Sequence, residues 1–335
     1  MAFKKDQMTR RLEPGEIEDL LGSGRSEEPR EAKVAPRPGA RETKLLAKES
    51  SSKPQPDQKS VARSLRDFAD SCREHGKYQQ AESLYRRALA LAESVFGPDH
   101  IEVSVVLNNL AVLYKYTGNF DEAGRLYQRA MAITEEVLGP DQPHVATIYH
   151  NLGGLEHARG RYVEGEPFAR RSVEIREKVL GQDHVDVAAD IAALAAILDG
   201  QKRYDESEPL YHRALAIFER AYGPEHYEIA INLNNLAALK HAKGENAESE
   251  RLYRRALTMK ERLLGAEHPD VAMTLNNLAV LCKTQGKYDE AEAMYRRALR
   301  IFTKALGPEH PKVGACLKNH ANLLRKMNHS ETTTL

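Results

Sequence analysis

The four residues Gly-Pro-Asp-His at positions 97–100 recur, with changes, every 42 residues along the chain. The later copies read Gly-Pro-Asp-Gln at 139, Gly-Gln-Asp-His at 181, Gly-Pro-Glu-His at 223, Gly-Ala-Glu-His at 265 and Gly-Pro-Glu-His at 307. A column of arginines keeps the same phase: Arg87, Arg129, Arg171, Arg213, Arg255 and Arg297. Self-similarity at a fixed period indicates a repeat architecture. The chain is therefore predicted to be one array of repeats.

Each unit contains two helical patterns, illustrated by residues 97–138. Apolar side chains recur at steps of three and four from Val103 to Tyr114, which is the spacing of one helix face. Gly118 interrupts the pattern, as a glycine does just past a last helical turn. A second run with the same spacing extends from Phe120 to Val137. The unit is predicted to be a helical hairpin.

The residues at fixed places in the hairpin resemble those of the tetratricopeptide repeat. Small residues at Ala111 and Ala130, the turn at Gly118, and aromatic residues at Phe120 and Tyr127 match its pattern. The resemblance implies an all-α fold, a right-handed superhelical α-solenoid of antiparallel helix hairpins. It also implies that the first helix of each pair lines a concave surface.

The unit is longer than the usual tetratricopeptide repeat of about 34 residues. Its runs Leu-Asn-Asn-Leu-Ala, Gly-Lys-Tyr-Asp-Glu-Ala-Glu (286–292) and Tyr-Arg-Arg-Ala-Leu (295–299) are similar to the kinesin light chain type. By this resemblance, the groove takes short peptides in which an aromatic residue is flanked by acidic residues.

The repeat divides the chain into an array at residues 55–329 and two tails. Six full units are predicted at residues 55–96, 97–138, 139–180, 181–222, 223–264 and 265–306, followed by a capping helix at 307–329. Residues 1–54 are rich in charged residues, Ser and Pro, and a segment so poor in apolar residues is predicted to be disordered. Residues 330–335 are predicted to be a flexible tail. The capping helix carries Lys318, His320, Arg325 and Lys326, which predict a polar outer face.

Composition limits the function classes. Lys and Arg number 49, as do Asp and Glu, so the overall basic excess expected of a nucleic-acid binder is absent. No apolar run approaches the roughly 18 residues of a membrane span. The three cysteines, Cys72, Cys282 and Cys316, are too far apart in sequence for a metal motif or a disulfide framework. A cytoplasmic protein without a cofactor is predicted.

Catalytic motifs are absent from the sequence. It contains no Gly-x-x-x-x-Gly-Lys-Ser/Thr phosphate loop, no Gly-x-Ser-x-Gly elbow and no His-Glu-x-x-His. The sequence therefore predicts a non-catalytic scaffold or adaptor that binds other proteins and no nucleic acid. A small-molecule ligand is not expected.

One column of the first helices is rich in asparagine. It reads Asp67, Asn109, Asn151, Ala193, Asn235, Asn277 and Asn319. An amide both donates and accepts hydrogen bonds, so such a ladder suits the backbone of an extended peptide. The same amides can instead bond to each other between neighbouring first helices. Both interpretations stay open at this point.

A second column of the same helices is largely basic. It reads Arg73, Lys115, His157, Asp199, His241, Lys283 and Arg325. Cations near a helix C-terminus offset the helix macrodipole, and a basic stripe also selects acidic peptides. Together with their neighbours, the two columns give the predicted peptide-binding groove: Asn108, Asn109, Lys115, His150, Asn151, His157, Asn234, Asn235, His241, Asn276, Asn277, Lys283, Lys318, Asn319 and Arg325.

Three further expectations follow from the sequence. The histidines His100, His184, His226, His268 and His310 belong to different repeats, so they are predicted to cap loops and not to bind a metal. A structural self-assembly module is one alternative function. A second alternative is an autoinhibited adaptor, in which the acidic segment around Ile17 to Leu21 occupies the basic groove.

Overall fold

The computed structural model describes residues 57–332, with side chains as far as Asn328. These residues form thirteen helices and no strand, which confirms the all-α solenoid; residues 1–54, predicted to be disordered, lie outside the described part. The helices are α1 (Gln58–Glu74), α2 (Tyr78–Phe96), α3 (Ile101–Thr117), α4 (Phe120–Leu138), α5 (Pro143–Ala158), α6 (Tyr162–Leu180), α7 (Val185–Gly200), α8 (Tyr204–Tyr222), α9 (Tyr227–Ala242), α10 (Asn246–Leu264), α11 (Pro269–Thr284), α12 (Tyr288–Leu306) and α13 (Pro311–Thr332).

The turn within each hairpin depends on a left-handed residue. Gly118 has φ of 84°, and the N–H of the following Asn119 donates to the carbonyl of Tyr114 at 2.8 Å. This closes α3 with the hydrogen-bond pattern that favours glycine at the end of a helix. Lys202 takes the same place in the fourth repeat at φ of 63°.

The histidine column caps the first helices. In each of five repeats the imidazole Nδ1 accepts a hydrogen bond from the backbone N–H two residues later, at 3.1–3.3 Å. This satisfies a donor that the first helical turn leaves without an intrahelical partner. The predicted loop-capping role is therefore present in the structure at His100, His184, His226, His268 and His310.

The first helices form the inner layer of the solenoid. Each first helix contacts the first helix of the next repeat, whereas no two second helices within residues 57–332 form a comparable contact. Curvature brings the helices on the inner side together and separates those on the outer side. The concave surface therefore belongs to the first helices α1, α3, α5, α7, α9, α11 and α13.

The apolar core is interrupted at the third repeat. One large cluster extends from Leu65 to Leu155 and another from Val187 to Leu323. Between them lie two small clusters, around Ala169 and Ile175. Ala169 stands where five other repeats have a buried tyrosine: Tyr85, Tyr127, Tyr211, Tyr253 and Tyr295.

The capping helix differs from the prediction of a polar outer face. Leu317 and Leu324 of α13 are 52% and 38% exposed, and His320 packs against the ring of Tyr295. Leu107 and Leu275, which occupy the position of Leu317 in earlier repeats, are buried, as is Cys282 at the position of Leu324. The described part of the chain has no second helix after α13, so these leucines keep an open apolar face.

Candidate functional site

Asparagine side chains of neighbouring first helices bond to each other on the concave surface. The amide of Asn151 donates to Asn108 at 2.8 Å, Asn108 donates to Asn109 at 3.2 Å, and Asn109 donates to Asp70 at 3.1 Å. A second chain joins Asn319 to Asn276 at 3.1 Å and Asn276 to Asn277 at 3.3 Å. The interhelical interpretation of the ladder therefore applies in the structure.

The ladder leaves amide groups available for a ligand. The Oδ1 of Asn109 accepts from Asn108 in the first chain of bonds, and the Oδ1 of Asn277 accepts from Asn276 in the second. The Nδ2 of Asn277 has no hydrogen-bond acceptor among the described side chains. Asn234 is buried, and its Nδ2 lies 3.4 Å from the Oδ1 of Asn235. Binding a peptide and linking the helices are thus compatible roles for different atoms of one ladder.

His150 is part of a polar network around a buried carboxylate, and its own side chain is 32% exposed. Its Nδ1 lies 2.7 Å from the carboxylate of Asp190, a residue with no exposed surface. Arg176 lies 3.3 Å from the same carboxylate and also donates to the hydroxyl of Thr147 at 2.8 Å. The network joins α5, α6 and α7 where the apolar core is interrupted, so the structure gives His150 a structural partner.

Three cations of the column have no counter-charge. Lys115, Lys283 and Arg325 make no ion pair with any residue of the described part, whereas Arg73 lies 3.6 Å from Asp70. The Nζ of Lys115 lies over α5, so close that a Cβ added at Gly154 would be 3.3 Å from it. Burial in the hollow, with a smaller contribution from Arg73, lowers the pKa of Lys115 to about 8.

Two imidazoles of the column carry little charge at neutral pH. Burial lowers the pKa of His157, and the charge of Lys115 lowers it further. Burial also lowers the pKa of His241, whose Nε2 lies 3.3 Å from the hydroxyl of Thr284 on the next first helix. The cations of this column at pH 7 are therefore its lysines and arginines, of which Arg325 is exposed on α13; Lys318 of the same helix is exposed as well.

An acidic column at the opposite end of the first helices was missed in the sequence. Its members stand in the first turns of α3, α7, α9 and α11: Glu102, Asp186, Glu228 and Asp270. They lie on the helical stripe that contains Asn109 and Tyr116, because steps of three and four residues connect them. The 42-residue spacing of these acids was the available signal. The concave surface thus carries these acids near one edge and the basic column near the other, and Glu102 is paired with Arg63 and Arg66.

A small pocket opens between α3 and α5 beside the asparagine ladder. Its volume is about 220 Å³, and its walls combine apolar and hydroxyl side chains: Ile101, Ser104, Val105, Asn108, Asn109, Thr134, His144, Thr147 and Ile148. Ser104 and Thr134 are buried, and their hydroxyl oxygens are 2.5 Å apart. The space suits one apolar or aromatic side chain.

The two ends of the array approach each other across the hollow. A cavity of about 560 Å³ is lined from both ends, by Arg73, Tyr78 and Tyr116 on one side and by Tyr227, Asp270 and Lys312 on the other. The hydroxyl of Tyr227 donates to Asp270, and the imidazole of His310 approaches the backbone of Tyr116. The groove is therefore a nearly closed turn.

The sequence model of the tetratricopeptide repeat matches six overlapping stretches, residues 60–136, 102–178, 144–200, 188–262, 228–304 and 270–332. The chain belongs to the tetratricopeptide repeat family. Repeats of this family stack into solenoids with extended concave binding surfaces. The protein is accordingly a protein–protein interaction scaffold, and its 42-residue repeats are of the kinesin light chain-like type.

Several solved structures are similar to this chain. BtubC (BKLC) from P. vanneervenii is 26% identical, with a TM-score of 0.51, and the match covers 74% of this chain and 94% of that one. A kinesin light chain-like protein with nearly identical repeats from Podosopora anserina is 23% identical over 61% of this chain and 97% of that one, with a TM-score of 0.47. A Rap protein complexed with competence and sporulation factor is 13% identical, with a TM-score of 0.58, covering 82% and 77%.

Two further findings complete the comparison. No curated protein sequence matches the chain significantly. None of the helices within residues 57–332 has the length and hydropathy needed to cross a bilayer.

Proposed function

We propose that the concave groove of this scaffold binds an extended acidic segment of a partner protein. The observation that carries the proposal is Lys115, a lysine whose burial lowers its pKa and which has no counter-charge; Lys283 of the same column also lacks one. A desolvated cation with no partner is costly in a folded protein. A carboxylate supplied by a ligand removes that cost and gives a charge-assisted hydrogen bond.

The pocket between α3 and α5 supports an apolar anchor within the same segment. It lies next to Asn108 and Asn109, so a peptide main chain bonded to the ladder places a side chain over it. The acids Asp186 and Glu228 near one edge and Lys115 near the other favour one orientation of an acidic ligand, with its carboxylates towards the lysine. Complementary charge of this kind adds specificity and speeds association.

The proposal predicts that a short acidic probe binds through the groove. The probe is a fluorescein-labelled peptide with one tryptophan between two runs of three aspartates, and fluorescence anisotropy measures its Kd. Replacing Lys115→Gln, Lys283→Gln and Asn277→Ala together should weaken binding at least about 100-fold, because each charged hydrogen bond contributes roughly 1.5–3 kcal/mol. Raised salt should weaken binding to the unchanged chain.

The matched control is Lys304→Gln, an exposed lysine of the second helix α12. It removes the same charge outside the groove and should change the Kd less than twofold. Equal losses for Lys304→Gln and Lys115→Gln would mean that net charge alone attracts the probe, and the groove would be rejected as its site.

The pH of the assay tests the same proposal independently. Lys115 is cationic below its pKa of about 8 and neutral above it. Affinity for the acidic probe should therefore fall between pH 7 and pH 9, and Lys115→Gln should flatten that fall. A pH profile identical in the two chains would remove Lys115 from the site.

Self-association through α13 is a second candidate function, and the exposed leucines favour it. Gly314, Leu317, Ala321 and Leu324 follow steps of three, four and three residues, which is the spacing of a coiled-coil seam. The occupant of this face would be α13 of a second copy, because a two-fold axis lets the same stripe pair with itself.

Light scattering after size exclusion tests the second candidate. The unchanged chain should form a dimer at tens of micromolar, and Leu317→Glu with Leu324→Glu should keep it monomeric at every concentration. Val163→Glu is the control, since Val163 is 71% exposed on a different helix. A chain that is monomeric throughout would exclude self-assembly.

A further inference from the structure

Asp199 is the one acidic member of the otherwise basic and imidazole column. It stands in the last turn of α7, between His157 of the previous repeat and His241 of the next one. Its carboxylate is half-buried and forms no hydrogen bond or ion pair with any side chain of residues 57–328. Asp70 and Asp270 of the hollow do have partners: Asp70 accepts from Tyr85 and Asn109, and Asp270 accepts from Tyr227.

The position of Asp199 is unfavourable for the isolated chain. A carboxylate at a helix C-terminus opposes the macrodipole, where a cation would be stabilising. Burial alone raises its pKa to about 6, and no cation of the described part offsets that effect. Asp199 thus neither caps a helix nor neutralises a neighbour, so nothing within the fold requires a carboxylate there.

The surroundings leave access to this carboxylate. Ala192, Ala193 and Ala196 lie on the same face of α7, and Ala192 and Ala193 occupy the places of the asparagine pair in other repeats. The amide ladder is therefore missing at α7, and a peptide there has no amide to bond. No long side chain of α7 covers Asp199 from this face.

We propose that Asp199 binds a basic side chain, lysine or arginine, of the same segment whose acidic part lies over Lys115. The inference rests on the proposed groove function and adds a second, oppositely charged subsite to it. An ion pair with the ligand replaces the amide contacts that α7 lacks. The partner segment would thus carry a charge pattern and not a uniform negative charge.

The spacing of the helices sets the register of that pattern. Lys115 lies on α3 and Asp199 on α7, two steps along the row of contacting first helices. Packed helices are about 10 Å apart, so two steps span about 20 Å. An extended chain covers about 3.4 Å per residue, which places the basic residue about six positions from the acidic one.

A charge-swap experiment on the full chain tests the inference. Three labelled probes share the tryptophan flanked by acidic residues and extend to a position six residues from the acidic run. That position is lysine in the first probe, glutamine in the second and glutamate in the third. Each probe is made in two versions, one extended on the N-terminal side of the acidic residues and one on the C-terminal side. Anisotropy gives the Kd of each probe for the unchanged chain, Asp199→Asn and Asp199→Lys.

The lysine probe should bind about tenfold more tightly than the glutamine probe, and Asp199→Asn should remove that difference. Asp199→Lys should reverse the preference and favour the glutamate probe. Asp289→Asn, the same substitution at an exposed residue of α12, is the control and should change nothing. Thermal melting of Asp199→Asn should match the unchanged chain or lie above it.

The outcomes separate this inference from the groove proposal. If the glutamine probe binds and Asp199→Asn affects all probes alike, the groove stands and the Asp199 subsite is wrong. A lowered melting temperature of Asp199→Asn would assign the carboxylate a structural role and also overturn the subsite. If no probe binds the unchanged chain, both proposals fail together.

Discussion

Replacing Asp190→Ala should lower the free energy of unfolding by about 3–5 kcal/mol, because it leaves a buried arginine without its carboxylate. Asp190 has no exposed surface, and the Arg176 side chain is 11% exposed at 3.3 Å from it. His150 also loses its partner at 2.7 Å. Urea unfolding followed by circular dichroism at 222 nm measures the change.

The location of the network predicts the shape of the unfolding curve as well. The helices of each repeat pack mainly against those of the neighbouring repeats, so a weak interface divides the array into separate cooperative units. The apolar core is already interrupted between Leu155 and Val187. Asp190→Ala should therefore convert one transition into two.

Two further variants make this prediction specific. Asp183→Ala removes an ion pair with Arg220 in which both side chains are more than half exposed, so it should cost less than about 1 kcal/mol. Asp190→Val with Arg176→Phe should recover most of the loss, since the equivalent positions of the last repeats are Cys316 and Phe302. A single transition in Asp190→Ala, with a cost as small as that of Asp183→Ala, would contradict the network's role.

The fold was predictable because its information is local and repeated. The same residue types recur every 42 residues: the turn glycine at Gly118, with φ of 84°, the small residue at Ala111 and the tyrosine at Tyr127. Each unit therefore supports the helix assignment of the others. Burial of Tyr85, Tyr127, Tyr211 and Tyr295 follows directly from their position on the helix face. Ala169, which departs from the tyrosine column, lies at the interruption of the core, and that interruption was not predicted.

The candidate site was predictable only in part. The helical stripe placed Asn109 and Lys115 on the inner surface, but it gave no means to decide which partner each amide takes. The near-closure of the hollow, where Tyr116 approaches His310, depends on small rotations summed over the repeats. No local pattern encodes that sum. The lowered pKa of His157 likewise arises from atoms brought together by curvature.

The second large effect concerns the tyrosine column of the core. Tyr127→Ala should destabilise the array by about 3–5 kcal/mol, the usual cost of truncating a buried aromatic residue. Tyr127 has no exposed surface and lies in the cluster from Leu65 to Leu155. Because it belongs to the second of the six predicted full repeats, the loss should appear in the unfolding of the first half of the array. Urea titration of the variant measures it.

Its hydroxyl provides a sharper comparison. The Tyr127 hydroxyl is buried without a hydrogen-bond partner in the described part, so Tyr127→Phe should be neutral or stabilising, because an unpaired buried hydroxyl carries a desolvation cost. In the first repeat the Tyr85 hydroxyl donates to Asp70 at 2.5 Å, and Tyr85→Phe should cost about 1–3 kcal/mol by leaving that carboxylate with one donor fewer. Equal effects of Tyr85→Phe and Tyr127→Phe would show that the two hydroxyls do not differ in this way. A small effect of Tyr127→Ala would mean that the core collapses into the space left by the ring.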